Sequence, residues 1–546
     1  MAGEAPGISR RAPQRILLFM LCMLALLLAT VVFLQWRSSA FIGSFQNDAA
    51  AHYVSGLMAH DWLVGKLGGN PVRYLIDYHA HLPLTAYGLW PPLYYGIESV
   101  WMVFAGTGKI AILSLSSVVT AALGLLTTRV VTRQAGWIAG LMAGLLLVAN
   151  PLVQRASNEL MLDVANALAC LLAALAYAGY LANGSWRAAV RFGVLAAIAT
   201  MVKSNALALA CLPPLCVLIG RRWDLLLRPS FYLPALIVAV LAGPWYWVAA
   251  GLTVAFPHTW GPAYLKLATL YNAASIADGL TPIVTLLAVL GLGRVLWRRS
   301  PPGAEGAVEV ACAALALSVF LFLLAIPAAQ QDRYLIPCLA PLVVLAANEA
   351  RRLLGRVDRP VPRGVLVAAL VISALLPAIP VQLVIHDGFH DAAEIAQSAL
   401  STRNPVVLLV TDGETEPGLI AEFAMAEPRR PVAWVIRGSR LFGGGGYFNS
   451  DYQPRFTEPR ALLGEIDRYG VSMVAFRRTG SPREWAHIAQ FAALLDLSPE
   501  RFERLAEIPG SAVIRIYRVV GNQERNPDAA ALTQLNGPRT LMKLAQ

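Results

Sequence analysis

The feature that most constrains this chain is a succession of uncharged apolar runs, each near the roughly 20 residues that cross a bilayer as a helix. The clear ones are Ile16–Phe33, Ile110–Leu126, Trp137–Val153, Val164–Leu181, Phe231–Ala250, Thr281–Leu296, Val310–Pro327 and Val365–Val384. The shorter runs Phe192–Val202, Ala206–Ile219 and Leu335–Ala347 bring the expected number to about eleven. Backbone polar groups in lipid must be satisfied within the spanning structure, so the series predicts an α-helical polytopic membrane protein. Only 14% of the residues are charged, against roughly 25% in soluble domains, which excludes a soluble globular enzyme and a disordered chain. No small-residue cleavage site follows the first run, which reads as a span and not as a cleaved signal.

Lys and Arg set the expected orientation. With Arg10, Arg11 and Arg15 in the cytoplasm, the inner segments hold eighteen basic residues, the richest being Arg351, Arg352, Arg356, Arg359 and Arg363. The longer outer loops hold eight: Arg37, Lys66, Arg73, Lys109, Arg155, Lys203, Lys266 and Arg333. An odd number of spans leaves the chain outside after about His386. The expected organisation is a cytoplasmic N-terminus (1–15), a membrane domain (16–385) with a large first outer loop (35–109), and an extracytoplasmic domain (386–546). From His386 onward there are 18 basic and 19 acidic residues. The net charge of +11 therefore belongs to the membrane part, and it orients the chain instead of marking a nucleic-acid partner. All six cysteines lie in apolar runs, which implies neither a disulfide framework nor a zinc site. These features and the Arg-dominated charge fit a multi-pass protein of a bacterial inner membrane.

The last third has strand-like runs at Pro405–Thr411, Pro431–Arg437, Val471–Arg477 and Ser511–Val519. Helix-like stretches lie at Asp391–Leu400, Pro417–Ala426, Pro459–Tyr469 and Pro482–Leu495. This alternation predicts a small α/β domain with a largely parallel sheet. The Gly443–Gly446 run lacks a strand leading straight into it and a helix starting on it, so it reads as a loop, flexible or in contact with a ligand, not as a dinucleotide fingerprint.

Ionisable groups at the edge of a membrane are costly and mark candidate functional positions. In "FIGSFQNDAAAHYVSGLMAHDWLVG", Asp48 follows the first span, with His52 one helical turn on and Tyr53 beside it. A carboxylate there either acts as a general base on a hydroxyl or caps an interfacial helix. In "YGLWPPLYYGIESVWMVFAG", Pro91 and Pro92 start a short helix with Tyr94, Tyr95, Glu98 and Trp101, read as interfacial: an aromatic anchor or a substrate face. In "VQRASNELMLDVANAL", Arg155, Glu159 and Asp163 recur every four residues, so they line one helical face as functional groups or as an ion-pair ladder. Lys203 in "ATMVKSNALAL" sits where two apolar runs turn, to hold a phosphate or to snorkel. Asp332, Arg333 and Tyr334 of "QQDRYLIPCLAP" lie at the outer mouth of another span, where Arg333 either binds phosphate or contacts Asp332. Together these put carboxylates, cations and aromatics around one outward-facing cavity. Cations suit a lipid phosphate, carboxylates the activation of a hydroxyl, and aromatics a sugar face.

With these residues, about Arg15 to Arg363 resembles the polytopic glycosyltransferases of the GT-C fold. The nearest set is that of the protein-mannosyltransferases and aminoarabinose transferases, with bacterial galacturonosyltransferase-like members. Four blocks carry the resemblance: Asp48 with Tyr53, "WPPLYY" (Trp90–Tyr95), "ELMLD" ending in Asp163, and "DRYLIP" (Asp332–Pro337); Lys203 also matches. The resemblance implies inverting transfer of a sugar from a polyprenyl-phosphate donor to a glycan, lipid or protein acceptor on the outer face. It implies Asp48 as the catalytic carboxylate and Asp163 as a second one. Lys203 and Arg333 would hold the donor phosphate, and His52, Tyr53, Tyr94, Tyr95, Glu159 and Tyr334 would surround the substrates. The chain departs from the family pattern at Ala49, where many relatives carry an acid, at Trp90, where a His is common, and in the five-residue spacing from Asp48 to Tyr53. These departures bear on the acceptor and on any divalent cation. A lipid-linked sugar transporter, or a non-catalytic envelope assembly protein, are the alternative readings. The first leaves the long outer loop and the exported domain without a role; the second predicts that substitutions at Asp48 and Lys203 are silent.

Overall fold

A computed structural model describes residues 11–250, 259–297, 303–327, 330–356, single positions between 372 and 385, 387–400, 405–428, 430–444, 452–478, 484–510, 512–522 and 527–537. The expected span Val365–Val384 falls largely outside these residues, as does the second half of the glycine loop. Among the described residues, five helices are each long and apolar enough to cross a membrane: α1 (Arg11–Arg37), α5 (Lys109–Ala135), α8 (Asp163–Asn183), α15 (Ala304–Ala325) and α16 (Ile336–Leu354, extended by a 3-10 turn from Asp332).

Three further pairs of helices are apolar and long enough only when taken together, and each pair is sharply bent. Helices α6 (Trp137–Val148) and α7 (Pro151–Asn158) meet at 54°, and α11 (Pro229–Leu241) and α12 (Gly243–Ala249) at 50°. The sequence predicts each as one straight run. The breaks fall where Pro151 and Pro244 open the second helix of each pair, because proline lacks the N–H that continues a helix. Asn150 caps α7 by accepting from the Leu152 N–H. Helices α13 (Pro262–Gly279) and α14 (Pro282–Trp297) turn by 120°; only α14 was expected. The shorter α9 (Trp186–Val202) and Ser204–Gly220, a 3-10 turn running into α10 (Leu212–Gly220), match the weaker apolar runs.

The bundle core is made largely of Ala, Leu and Val from α5, α8, α9, α15 and α16. Glycines let α6 lie close against α5, where Gly140 and Gly144 face Thr132 and Thr128. Leu17, Phe33, Leu236, Val240, Leu286 and Val289 face outward, as a lipid-contacting belt requires.

The first outer loop folds into α2 (Asn47–Gly65), α3 (Pro71–His81) and α4 (Leu93–Ala105). At 13 residues α4 is too short to span, as its sequence predicts. Beyond the bundle lies a five-stranded sheet of β1 (Val406–Val410), β2 (Trp434–Arg437), β3 (Met473–Arg477), β4 (Phe502–Ile508) and β5 (Ile514–Val519), in the order β2-β1-β3-β5-β4. The first three strands are parallel, with Val407 opposite Val435 and Met473. The last two form an antiparallel hairpin against β3. The sheet is thus mixed, not largely parallel as expected, because β4 has no signature to read: its residues FERLAEI bury only the two ends. The helix Ala529–Asn536 is likewise unannounced in the sequence. Gly443–Gly444 pair with Gln453–Pro454 as a two-residue ladder. Alternate residues of β1 face two cores. Val407 and Leu409 pack with Phe423 and with the outer-loop residues Tyr53, Tyr78 and Tyr94. Val406, Leu408 and Val410 pack with Leu462, Ile488 and Phe491. The domain is therefore built directly onto the first outer loop.

Candidate active site

Between the outer loop and the soluble domain lies a cavity of about 1340 Å³. Asp48 is on its wall. The chain reaches α2 through Asn47, whose backbone is left-handed at φ 46°, a conformation Asn tolerates better than most residues. Asp48 follows in the first turn of α2, and Gln46 is the N-terminal flanking residue; Asp48 is not the cap. One carboxylate oxygen accepts a 2.6 Å hydrogen bond from the Arg333 guanidinium. Burial raises the Asp48 pKa, but Arg333, with smaller help from His52 and Lys203, outweighs it and leaves the pKa below the usual carboxylate value. Asp48 therefore stays ionised.

Arg333 is held on its other sides by Gln331, which accepts from Nε at 2.6 Å, and by the Met161 sulfur. Asp332 points elsewhere, 3.7 Å from Arg155, and accepts from Arg333 at the backbone N–H. Behind Arg333 lies a buried layer. Lys203, which ends α9, donates to Asp163 at 2.6 Å, and its ammonium lies 5.0 Å from the centre of the Tyr334 ring. The second Asp163 oxygen is buried without a hydrogen bond among the described residues.

Of the expected site residues, Asp48, Glu159 and Arg333 line the cavity, and Asp163, Lys203 and Tyr334 form the layer behind. His52 is buried, donates or accepts at 2.9 Å with the Tyr95 hydroxyl, and meets the cavity-lining Trp90 edge-on at 4.7 Å. Burial drops its pKa to about 3, so the ring is neutral. Tyr53 donates to the Thr107 carbonyl, and Tyr94 is packed in the core; neither reaches the cavity wall. Glu98 is buried behind α2 beneath Gly56, and burial raises its pKa well above the ordinary range.

The expected helical face of Arg155, Glu159 and Asp163 does not form. Helix α7 ends at Asn158, Leu160 turns the chain at φ 53°, and Asp163 starts α8. Arg155 consequently pairs with Asp332 and Asp163 with Lys203, each across to another segment. The sequence reading also missed the far wall, built by Asp412, Thr415, Arg437, Arg440, Arg477 and Trp485 of the soluble domain. A signal was there: Arg437 and Arg477 end predicted strands, and ligands of α/β sheets bind at carboxyl ends. Among the described residues no three His, Cys, Asp or Glu side chains converge as metal ligands.

This arrangement, a bent-helix bundle with an outer loop roofed by an α/β domain, recurs in solved structures. ArnT from Cupriavidus metallidurans bound to undecaprenyl phosphate superposes with a TM-score of 0.57 at 14% identity, over 92% of this chain and 99% of that one. The chain adopts the GT-C fold. The apo state of the same ArnT gives a TM-score of 0.56 at 15% identity, over 92% and 99% of the two chains. Archaeal oligosaccharyltransferase AglB from Archaeoglobus fulgidus, in complex with an inhibitory peptide and a dolichol-phosphate, gives 0.51 at 13%, covering 92% of this GT-C chain and 74% of that one. No family model and no curated protein sequence matches the chain.

Proposed function

We propose that this protein is an inverting glycosyltransferase of the cell envelope, moving a sugar from a polyprenyl-phosphate donor to a glycan, lipid or protein acceptor. The observation that carries the reading is the ionised Asp48, hydrogen-bonded to Arg333 on the wall of the large cavity between outer loop and soluble domain. Bound undecaprenyl phosphate and dolichol-phosphate in two proteins of the same fold support the donor class. The Lys/Arg bias supports a bacterial inner membrane with the N-terminus cytoplasmic and the 386–546 domain outside.

Arg333 supplies the donor-phosphate contact, since its guanidinium offers a planar donor fork for phosphate oxygens. Lys203 adds positive potential from behind, and Asp163 positions it. As the acceptor oxygen bonds to the anomeric carbon, the bond to the phosphate oxygen breaks and polyprenyl phosphate departs. Arg333 stabilises that developing charge. The acceptor proton passes to Asp48, whose low proton affinity makes the transfer late, once the oxygen has become acidic by bonding. The carboxylate later releases the proton to water.

The test compares envelope glycans by mass spectrometry in three strains: gene deleted, wild type restored, and Asp48→Asn restored. The expected result is one sugar lost on deletion and returned only by wild type, with transfer by Asp48→Asn down about 10²–10⁴-fold, as for loss of a general base. A strain carrying Asp48→Asn with wild-type glycans would remove Asp48 as the base.

A further inference from the structure

His79, near the end of α3, is a buried polar side chain that the transfer chemistry leaves unused. It is 8% exposed and lines the same cavity as Asp48. Its Nδ1 meets the Thr85 hydroxyl at 2.6 Å, and its Nε2 has no hydrogen-bond partner among the described residues. A buried polar atom left unpaired costs about 1–3 kcal/mol, so its place on a cavity wall points to a ligand. Burial first, then Arg440 and Arg437, hold the His79 pKa at about 3 and the ring neutral. A hydroxyl such as that of Thr85 can donate or accept, so the neutral ring is left to accept or donate at Nε2. A sugar hydroxyl also does both, whereas an anion only accepts.

The end of α3 is fixed beside the carboxyl end of β2. The His81 ring stacks on Trp434 with centroids 3.7 Å apart. Asn536 donates to the carbonyls of both Ala80 and Val435, each at 2.8 Å. Across β2 stands an aromatic platform. Trp485 lies flat on Tyr452, rings 4.8 Å apart and 7° from parallel, and lines the cavity half-buried. His487 locks that pair. Its Nε2 must donate to the Thr411 carbonyl, at 3.2 Å, so its Nδ1 accepts from the Tyr452 hydroxyl at 2.7 Å. Gly438, next after the end of β2, packs against the same imidazole. His79 and Trp485 thus stand on either side of one strand end.

We propose that this part of the cavity is a saccharide subsite for the acceptor, with His79 Nε2 hydrogen-bonded to a sugar hydroxyl and Trp485 as the face for the sugar ring. The inference rests on the glycosyltransferase reading and deepens it: the acceptor is a carbohydrate, free or lipid-borne, and not a peptide. The electron-rich face of an indole attracts the C–H bonds of a sugar, and an aromatic wall with a few placed polar groups is how small-ligand sites are built. Tyr94 and Tyr95, which the sequence offers as a substrate face, are both buried.

The test is saturation-transfer NMR and titration of the full-length protein in phosphatidylcholine nanodiscs. The probes are the methyl glycosides of glucose, galactose, mannose and N-acetylglucosamine, and a blocked Ser-Thr dipeptide. At least one glycoside should bind, its ring C–H protons saturated most strongly, and the dipeptide should not. His79→Leu and Trp485→Leu should each weaken that binding about three- to tenfold, the effect of one lost hydrogen bond or ring contact. Trp485→Phe keeps a ring on Tyr452 and should bind nearly as wild type does. Because Trp485 is half-buried, its variants should keep the wild-type Tm, which makes that pair decisive if His79→Leu does not fold. Failure of every glycoside to bind, or equal affinity in wild type and both leucine variants, overturns the proposal. So does a dipeptide that displaces the glycoside, or a loss confined to Trp90→Leu, which would put the sugar on the wall beside His52. These titrations contain no donor and no turnover, so their failure is separate from that of the Asp48→Asn test.

Discussion

Asp48 illustrates how one residue's environment decides its use. Burial alone raises a carboxyl pKa, and here Arg333 reverses the sign. The depressed pKa means that Asp48 is the ionised base at all pH values above the ordinary carboxylate range, near 3.9. Base function is lost only as pH falls through the folded pKa, so the acid limb of the transfer rate should lie below that range. Removing the guanidinium leaves burial as the dominant influence, and the pKa then rises. The expected outcome for Arg333→Gln is therefore a slower transfer whose acid limb has moved to higher pH. A pH–rate profile of donor-sugar transfer by the purified protein measures both. If the limb stays in place while the rate falls, Arg333 acts on the substrate alone and does not tune Asp48.

Among the elements, the contact of α5 with α6 depends on the absence of two side chains. A Cβ at Gly140 would lie 2.6 Å from the Thr128 carbonyl oxygen, a backbone atom that cannot swing away. Gly140→Ala should destabilise the bundle by about 1–3 kcal/mol, the usual cost of overpacking. The apparent Tm of the detergent-solubilised protein should fall by several degrees. Gly293→Ala in α14, where a Cβ would meet nothing within 4 Å, is the matched control and should leave the Tm unchanged or slightly raised. Equal behaviour of the two variants would refute close α5–α6 packing. The spans themselves were legible because apolar length is a local property of a run such as Ile110–Leu126. The helical face of Arg155, Glu159 and Asp163 does not form: periodicity is blind to the left-handed turn at Leu160, and Arg155 and Asp163 each meet a partner more than 30 residues away. The pairing of Asp48 with Arg333 spans 285 positions; the sequence shows both residues, but only the fold brings them together. Strand β4 escaped notice for the opposite reason: an edge strand with charged outward residues carries no apolar alternation.

The cavity's two walls come from distant parts of the chain, so its shape depends on what fixes the soluble domain to the outer loop. Tyr53, Tyr78 and Tyr94 share one buried apolar cluster with β1 and the helix Thr415–Ala426, which packs on α2, and a buried polar clamp joins the two parts as well. Arg430 grips Asp61 with two hydrogen bonds, at 2.9 and 3.3 Å, and donates as well to the Ala424 and Glu427 carbonyls. Tyr78 donates to the same carboxylate at 3.2 Å, and each member of the ion pair is only 11% exposed. Such a pair contributes little against a well-packed apolar substitute, but breaking it leaves a buried charge unpaired at about 3–5 kcal/mol. Asp61→Asn should thus lower the Tm strongly, while Asp61→Leu combined with Arg430→Met should recover most of the loss. Hydrogen exchange should rise in Thr415–Ala426, which packs on α2, and stay slow in α8 of the bundle, because the domain loosens while the spans remain packed. If the double variant is as unstable as the single one, the contribution lies in hydrogen bonds to the backbone carbonyls instead of in the charge pair. If exchange in Thr415–Ala426 is unchanged by Asp61→Asn, the aromatic packing alone holds the cavity in shape.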